Sequence, residues 1–148
     1  SVIPCNLFSA CSQLEEIVGL EKTFSHVRTV ERGFLYNTAI KSIDVSFMSN
    51  VRWISSQFLS DCSQLEAISG LAMLAHNVET FDSEFLWKTK NLSRFDVEAM
   101  KKICFSVFGD TRKGSKQLCA SRNRVKTLIA KAEAATTPKL SGNHRQRD

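Results

Sequence analysis

The sequence predicts an all-α fold in which two tandem three-helix repeats of about 51 residues pack together, followed by a C-terminal capping helix and a flexible tail. The first reason is a duplication: CSQLEEIVGL at 11–20 recurs as CSQLEAISGL at 62–71, with eight of ten positions identical at a spacing of 51. The second is that both prolines, Pro4 and Pro138, lie near the chain ends, which leaves the interior without the usual strand and turn signals. The third is that apolar residues recur every three or four positions, as on one face of a helix.

The first block of each repeat is predicted to form a helix that begins at a capping box. Ser12-Gln13-Leu14-Glu15 and Ser63-Gln64-Leu65-Glu66 each place a serine three residues before a glutamate, so that both side chains accept hydrogen bonds from amides at the helix start. The apolar face comprises Leu14, Ile17, Val18 and Phe24 in one copy and Leu65, Ile68, Leu71, Met73 and Leu74 in the other. The repeated polar residues therefore have a structural interpretation that requires no chemistry.

Two further blocks give each repeat a second and a third helix. FLYNT at 34–38 matches FLWKT at 85–89 at a spacing of 51, and DVSFM at 44–48 matches DVEAM at 96–100 at a spacing of 52. The third helix is traced by Val45, Met48, Val51, Ile54 and Phe58 in the first copy, and by Val97, Met100, Ile103 or Cys104, and Val107 in the second. Asp44 and Asp96 stand where N-cap carboxylates belong, so they are predicted to be capping residues.

These blocks predict one all-helical domain over 1–135, with repeat one at about 7–60, repeat two at about 61–110 and the capping helix at about 115–134. The capping helix is traced by Leu118, Val125, Leu128, Ile129 and Ala132. Beyond it the chain has neither periodicity nor apolar bulk, so 136–148 is predicted to be a disordered basic tail. Because one such repeat cannot bury its apolar face alone, the two copies are expected to pack on each other under the last helix.

The five cysteines favour reduced thiols and an intracellular location, cytoplasmic or nuclear. They are an odd number in a chain of 148 residues, which is long enough to build a core without disulfides. Cys11 and Cys62 occupy matching repeat positions and are interpreted as small buried residues on amphipathic helices. The alternative is a secreted helical-bundle signalling protein with two disulfides, for which Asn91-Leu92-Ser93 supplies a glycosylation sequon.

The common motifs of enzymes, metal sites and membrane spans do not occur in the sequence. There is no C-x-x-C, H-x-x-x-H or H-E-x-x-H spacing for zinc, and no glycine-rich phosphate loop. No G-x-S-x-G marks a nucleophile, and no apolar run approaches the roughly 18 residues of a membrane helix. A protein that is not an enzyme, without cofactor, metal or membrane partner, is therefore predicted.

The charge is split between the two ends of the chain. Residues 1–87 carry five basic and ten acidic side chains, whereas residues 88–148 carry fifteen basic and five acidic ones. Such asymmetry favours an acidic partner for the C-terminal part. The candidate binding residues form a basic ridge on and before the last helix, comprising Arg112, Lys113, Lys116, Arg122, Arg124, Lys126 and Lys131. Trp87, beside Lys88, is a candidate stacking or groove aromatic.

Three functional hypotheses follow from these observations. The first is a non-enzymatic helical repeat module, an adaptor or scaffold that binds a protein segment in the groove between its repeats and uses the basic ridge for an acidic partner. The second is an RNA- or DNA-binding protein that acts through the same ridge. The third is the secreted signalling protein described above.

Overall fold

Short parallel strands organise this chain, so the predicted all-α fold is wrong. The structure is a computed structural model that describes residues 1–82, 84–104 and 116–136. Within those residues the chain winds through four coils, each of which starts at a strand of one continuous sheet. The coils are defined here as coil 1 (2–28), coil 2 (29–52), coil 3 (53–79) and coil 4 (80–104).

The first sheet contains one two-residue strand from each coil. Its parallel strands, in spatial order, are β1 (Val2–Ile3), β2 (Thr29–Val30), β4 (Trp53–Ile54) and β6 (Thr80–Phe81). Successive strands are 27, 24 and 27 residues apart along the chain. A 27-residue coil followed by a 24-residue coil makes the 51-residue period, so each predicted repeat is in fact two coils.

The second sheet lies on another side of the coils and is smaller. β3 (Ser42–Asp44) and β5 (Ala67–Ser69) pair in parallel with Ile43 opposite Ile68, and one further bridge joins Ala67 to Arg94. In both strands the central isoleucine is buried while its neighbours are exposed or half-buried. This alternation is the period of two that a strand imposes on its side chains.

A row of short helices closes the third side of the coils. It consists of α1 (Leu20–Phe24), a 3₁₀ turn (Ser46–Met48), α2 (Leu71–Asn77) and α3 (Val97–Lys102), each in contact with the next. The Asp96 carboxylate accepts a hydrogen bond from the Ala99 amide at 3.1 Å, which confirms its predicted N-cap role. Asp44 accepts one from the Ser46 amide at 2.9 Å, at a 3₁₀ turn rather than at the helix predicted there.

The turns after the first sheet use left-handed backbone at alternate residues. Positive φ angles occur at Asn6, Phe8 and Ala10, at Gly33, Leu35 and Asn37, at Gln57, Leu59 and Asp61, and at Glu84, Leu86 and Lys88. Hydrogen bonds between neighbouring coils stabilise this backbone: the Ala10 amide donates to the Tyr36 carbonyl at 2.7 Å. In the next coils the Asn37 and Asp61 amides donate in the same way.

The segments predicted to begin helices at capping boxes belong to these turns instead. The amides of Leu14 and Leu65 donate to the carbonyls of Cys11 and Cys62 at 2.9 and 3.2 Å, as in a turn. No helix in the described part of the chain starts at Ser12 or Ser63, so the capping-box prediction is wrong.

The core is a stack of equivalent side chains, one from each coil. Phe34, Phe58 and Phe85 lie parallel at ring-centroid distances of 5.9 and 5.8 Å, with interplanar angles of 2° and 8°. Leu7 holds the matching position in coil 1 but is only partly buried. A stacked core of this kind is the usual basis of a solenoid, in which each unit depends on its neighbours.

A long helix, α4 (Lys116–Thr136), packs against α3. Its inner face buries Val125, Leu128 and Ile129. The helix covers the segment for which the sequence predicts a capping helix; the predicted tail at 136–148 lies outside the described residues apart from Thr136. Among the described residues, no helix has the length and apolar character that crossing a membrane requires.

Candidate functional site

A groove of about 460 Å³ opens between coil 1 and the second sheet. Its floor is apolar and is formed by Ile17, Leu20, Ile40, Ile43 and Ile68. Four of these side chains are buried and Ile17 is half-buried. The groove therefore lies directly over the edge of the core, at the point where coil 1 meets coil 2.

The groove exists because coil 1 provides no strand beside β3. On its other side β3 is fully paired: the Lys41 carbonyl accepts from the Glu66 amide at 2.8 Å, and the Val45 amide donates to the Ser69 carbonyl at 2.9 Å. Since backbone groups alternate in direction along a strand, the main-chain N–H and C=O of Ser42 and Asp44 face away from β5. Within the described structure, no main-chain hydrogen bond joins these two residues to coil 1.

The opposite edge of the second sheet, unlike the edge at β3, is paired with a neighbouring coil. There the Ile68 amide donates to the Arg94 carbonyl at 2.9 Å, and the amides of Ser93 and Arg94 both donate to the Glu66 carbonyl at 3.0 Å. Coil 4 therefore pairs with β5 along that edge. Between coils 1 and 2 on this side of the chain, the Ala39 amide still donates to the Leu14 carbonyl at 2.9 Å, after which the two coils separate.

The rim of the groove is predominantly acidic. Glu16 and Glu21 are exposed on the coil 1 side, and Asp44 is exposed on β3. Among the described residues that line the groove, the one basic residue is Arg94, whose Nη2 lies 3.6 Å from Oε1 of Glu66. Because Arg94 already has a carboxylate partner, the rim presents an excess of negative charge to a ligand.

A second depression, of about 490 Å³, lies over the turns next to the groove. It is lined mainly by polar side chains, including Ser12, Asn37, Ser63 and Gln64, with Glu15 and Lys41 as its charged members. No group of three or more potential metal ligands occurs in the residues that the structure describes.

Polar side chains inside the turns form hydrogen bonds between successive coils. The Cys62 thiol donates to the Leu35 carbonyl at 3.1 Å, the Thr89 hydroxyl donates to the Leu59 carbonyl at 2.8 Å, and Thr38 Oγ1 lies 3.5 Å from Cys62 Sγ. Burial raises the pKa of the Cys62 thiol, which keeps it protonated and unsuited to nucleophilic chemistry. Cys62 is thus buried as predicted, whereas its counterpart Cys11 is exposed and that prediction is wrong.

The predicted basic ridge falls partly outside the described residues. Arg112 and Lys113 lie in the undescribed segment, and Lys116 is the first residue of α4. Arg124 turns towards coil 4, where its Nη2 donates to the Thr89 carbonyl at 2.5 Å, and burial lowers the pKa of its guanidinium.

The remaining ridge residues differ in exposure. Arg122 is half-buried, and its carbonyl lies 3.8 Å from the Cys104 thiol, which donates to it. Lys126 and Lys131 are exposed. Trp87 is half-buried in a turn, where its carbonyl accepts from the Asp61 amide at 2.6 Å. A binding role for these residues stays a prediction.

α4 packs against coil 4 and supplies hydrogen-bonding and charged groups in the position where a further coil would lie. The Ser121 hydroxyl accepts a hydrogen bond from the Glu84 amide at 2.5 Å, where in earlier coils such an amide donates to the next coil. Lys101 Nζ on α3 lies 2.8 Å from Oε2 of Glu133 on α4. The helix therefore covers the edge that coil 4 would otherwise expose.

Comparison with known protein families identifies the coils. A family model described as BspA type leucine rich repeat region (6 copies) matches residues 1–113. The chain belongs to this family. No curated protein and no solved structure matches it. The four coils of 24 to 27 residues are leucine-rich repeats, which fall within the 20–29-residue length of that repeat class.

Membership of the leucine-rich repeat family corrects the functional predictions as well as the fold. The predicted helical repeat module is wrong, because the repeat is built on parallel strands; the secreted helical bundle is wrong for the same reason. Leucine-rich repeats typically bind proteins and are generally not enzymes. Nothing in the comparisons or in the described structure supports the nucleic-acid alternative.

Sequence reasoning missed the residues that line the groove of this leucine-rich repeat protein. Glu16, Ser42 and Asp44 belong to no charge run and no catalytic motif, so neither kind of pattern marks them as binding residues. The available signal is a triplet in which isoleucine stands between outward residues, at 16–18, 42–44 and 67–69. Its spacing of 26 and 25 residues would have located the outer face of the second sheet.

Proposed function

We propose that this leucine-rich repeat protein is a non-enzymatic interaction module that binds a protein partner at the groove and on the outer face of the second sheet. The observation that carries the proposal is the groove itself, which combines an apolar floor with a charged rim. Protein interfaces have this arrangement, with a desolvated apolar centre surrounded by polar residues.

The construction of the coils supports a binding role. The floor residues are fixed by the stacked core, and the strands under them are hydrogen-bonded from coil 2 to coil 4. A surface held on rigid elements loses little conformational entropy when a partner binds, so more of the interaction energy appears as affinity.

The proposal is tested by selecting ligands from a displayed library of random peptides against the whole protein. Affinities of the selected peptides are then compared between wild type and a Ser42→Arg/Ser69→Arg variant, which places two long side chains on the outer face of the second sheet. Both serines are exposed or nearly so in the strands, and the substitutions keep the buried isoleucines. Binding is expected to weaken by about tenfold or more.

The matched control is Thr29→Arg/Thr80→Arg, which adds the same side chains to outward positions of the first sheet. This variant is expected to bind the selected peptides as wild type does. A library that yields no binder, or binders that are equally sensitive to both variants, would contradict the proposal.

A further inference from the structure

We propose that the partner segment in the groove is an extended, basic polypeptide strand that pairs with β3, in the place where coil 1 supplies no strand. The inference rests on the proposed function and specifies it, by naming the conformation and the charge of the bound segment. It follows from the backbone of β3, the floor of the groove and the rim, taken in turn.

The backbone of β3 has hydrogen-bonding groups available on its groove side. The N–H and C=O of Ser42 and Asp44 face the groove, and no main-chain partner occurs for them among the described residues. An unpaired edge of this kind accepts an added strand, and the main-chain hydrogen bonds then provide affinity that depends little on sequence. Three strand residues span about 10 Å, so a short extended segment is sufficient.

The floor selects an alternating pattern of side chains. In an added strand, every second side chain would point towards the apolar floor at Ile17 and Ile43, and the residues between them would point outward. Apolar residues therefore suit the inward positions, because each buries area against isoleucine side chains.

The rim selects the charge of the outward residues. The groove is lined by Glu16, Glu21 and Asp44, and Arg94, the one basic residue among the described lining residues, is paired with Glu66. Lysine or arginine at the outward positions would be close to these carboxylates. Exposed ion pairs contribute modestly to affinity and are screened by salt. They therefore determine which sign of charge the ligand carries and how binding depends on salt, whereas most of the affinity comes from the other contacts.

The test uses a seven-residue peptide of alternating lysine and valine, with blocked termini, and the whole protein. Hydrogen exchange of individual amides is followed by NMR without and with saturating peptide. In the free protein the amides of Ile43 and Val45, which face β5, are expected to be protected and those of Ser42 and Asp44 to exchange rapidly. The peptide is expected to slow exchange at Ser42 and Asp44 by about tenfold or more.

Two N-methylated peptides separate strand pairing from charge attraction. One carries N-methyl groups on every valine and the other on every lysine, so each removes the donors on one edge of the peptide strand. One of them is expected to lose binding by about tenfold or more and the other to retain it. If both N-methylated peptides bind as tightly as the parent, or if Ser42 and Asp44 are not protected, the inference is wrong.

Charge is tested with a Glu16→Lys/Glu21→Lys variant, which alters exposed side chains and leaves the backbone of β3 intact. Peptide binding is expected to weaken by about tenfold and to lose most of its salt dependence. The control, Glu31→Lys/Glu98→Lys, changes the net charge equally at positions outside the groove and is expected to bind as wild type does. A peptide in which glutamate replaces lysine is expected to bind about tenfold or more weakly than the parent peptide.

The outcomes distinguish this inference from the proposed function. If library-selected peptides depend on Ser42 and Ser69 but the lysine–valine peptide fails, the strand-pairing inference is wrong and the proposed function stands. If neither kind of peptide binds, both are wrong. If Ser42 and Asp44 become protected in the protein alone as its concentration rises, a second copy occupies the groove and the peptide-ligand inference is overturned.

Discussion

Coil 1 and coil 3 contain nearly the same ten residues, CSQLEEIVGL and CSQLEAISGL, yet fold differently. In coil 3, Cys62, Leu65 and Ile68 are all buried, and residues 67–69 form β5. In coil 1, Cys11 is exposed, Leu14 and Ile17 are only partly buried, and no strand forms at the matching position. Within the described residues, coil 3 packs between coils 2 and 4 whereas coil 1 packs against coil 2, so nearly identical sequences are buried to different extents according to the coils beside them.

The two ends of the coil stack differ in the same way. At the C-terminal end, α4 buries apolar residues against the fold and supplies Ser121 as an acceptor for the Glu84 amide. At the N-terminal end, Leu7, Phe8 and Leu14 remain only partly buried within the described residues. The proposed binding groove lies beside the less completely buried coil.

The largest effect is expected from the aromatic stack. Phe58→Ala would remove the ring between Phe34 and Phe85, where Phe58 is 1% exposed, and should lower the free energy of unfolding by about 3–5 kcal/mol. Leu7→Ala removes the matching side chain of coil 1, which is only partly buried, and should cost about 1–2 kcal/mol. Urea unfolding followed by circular dichroism measures both.

Equal destabilisation by the two substitutions would mean that coil 1 is as tightly integrated as coil 3. In that case the difference in burial would not reflect a difference in stability. For Phe58→Ala, both the urea midpoint and the dependence of the unfolding free energy on urea concentration are compared with wild type. A change in that dependence would indicate a change in the compactness of the denatured state rather than a lost contact.

The sequence predicts the duplication correctly but not its structural unit. Six of the buried residues of coil 3 are spaced by three or four: Phe58, Cys62, Leu65, Ile68, Leu71 and Leu74. A coil of short straight segments therefore produces the same spacing as a helical face. The strands have only two or three residues, so their alternation does not stand out in the sequence. The shorter spacing from one coil to the next is not evident in the sequence, because the equivalent segments LFSAC, FLYNT, FLSDC and FLWKT share few identical residues.

Asp96 illustrates what local chemistry does predict. Its N-cap bond depends on residues three positions apart, so the sequence alone was sufficient to identify it. The groove depends instead on contacts between residues 16–21 and 40–44, which only the stacking of coils brings together. No motif in a single stretch of sequence encodes that arrangement.

An intermediate effect is expected where α4 replaces a further coil. Ser121→Ala removes the acceptor of the Glu84 amide and should cost about 1–2 kcal/mol, because a part-buried donor loses its partner. Thr127→Ala is the matched control: its exposed hydroxyl bonds only to the Asn123 carbonyl within α4, and its loss should cost less than about 0.5 kcal/mol. Thermal or urea unfolding of both variants compares them, and equal costs would show that Ser121 does not anchor the helix.

The smallest effect is expected at the cysteine of coil 1. Cys11→Ala should change the free energy of unfolding by less than about 0.5 kcal/mol, because the side chain is exposed, whereas Cys62→Ala should cost about 1 kcal/mol through lost packing. Labelling of the native protein with a thiol reagent should modify Cys11 rapidly and Cys62 only on unfolding.

The buried cysteine of coil 3 is expected to make the free energy of unfolding depend on pH. Because burial raises the pKa of Cys62 above the ordinary 9.0, its contribution is fully present below pH 9 and declines as the pH rises through the folded-state pKa, since the unfolded chain releases the proton first. Cys62→Ala should remove this share of the alkaline decline, which urea unfolding at a series of alkaline pH values measures. An unchanged decline in Cys62→Ala would show that burial in coil 3 does not desolvate this thiol.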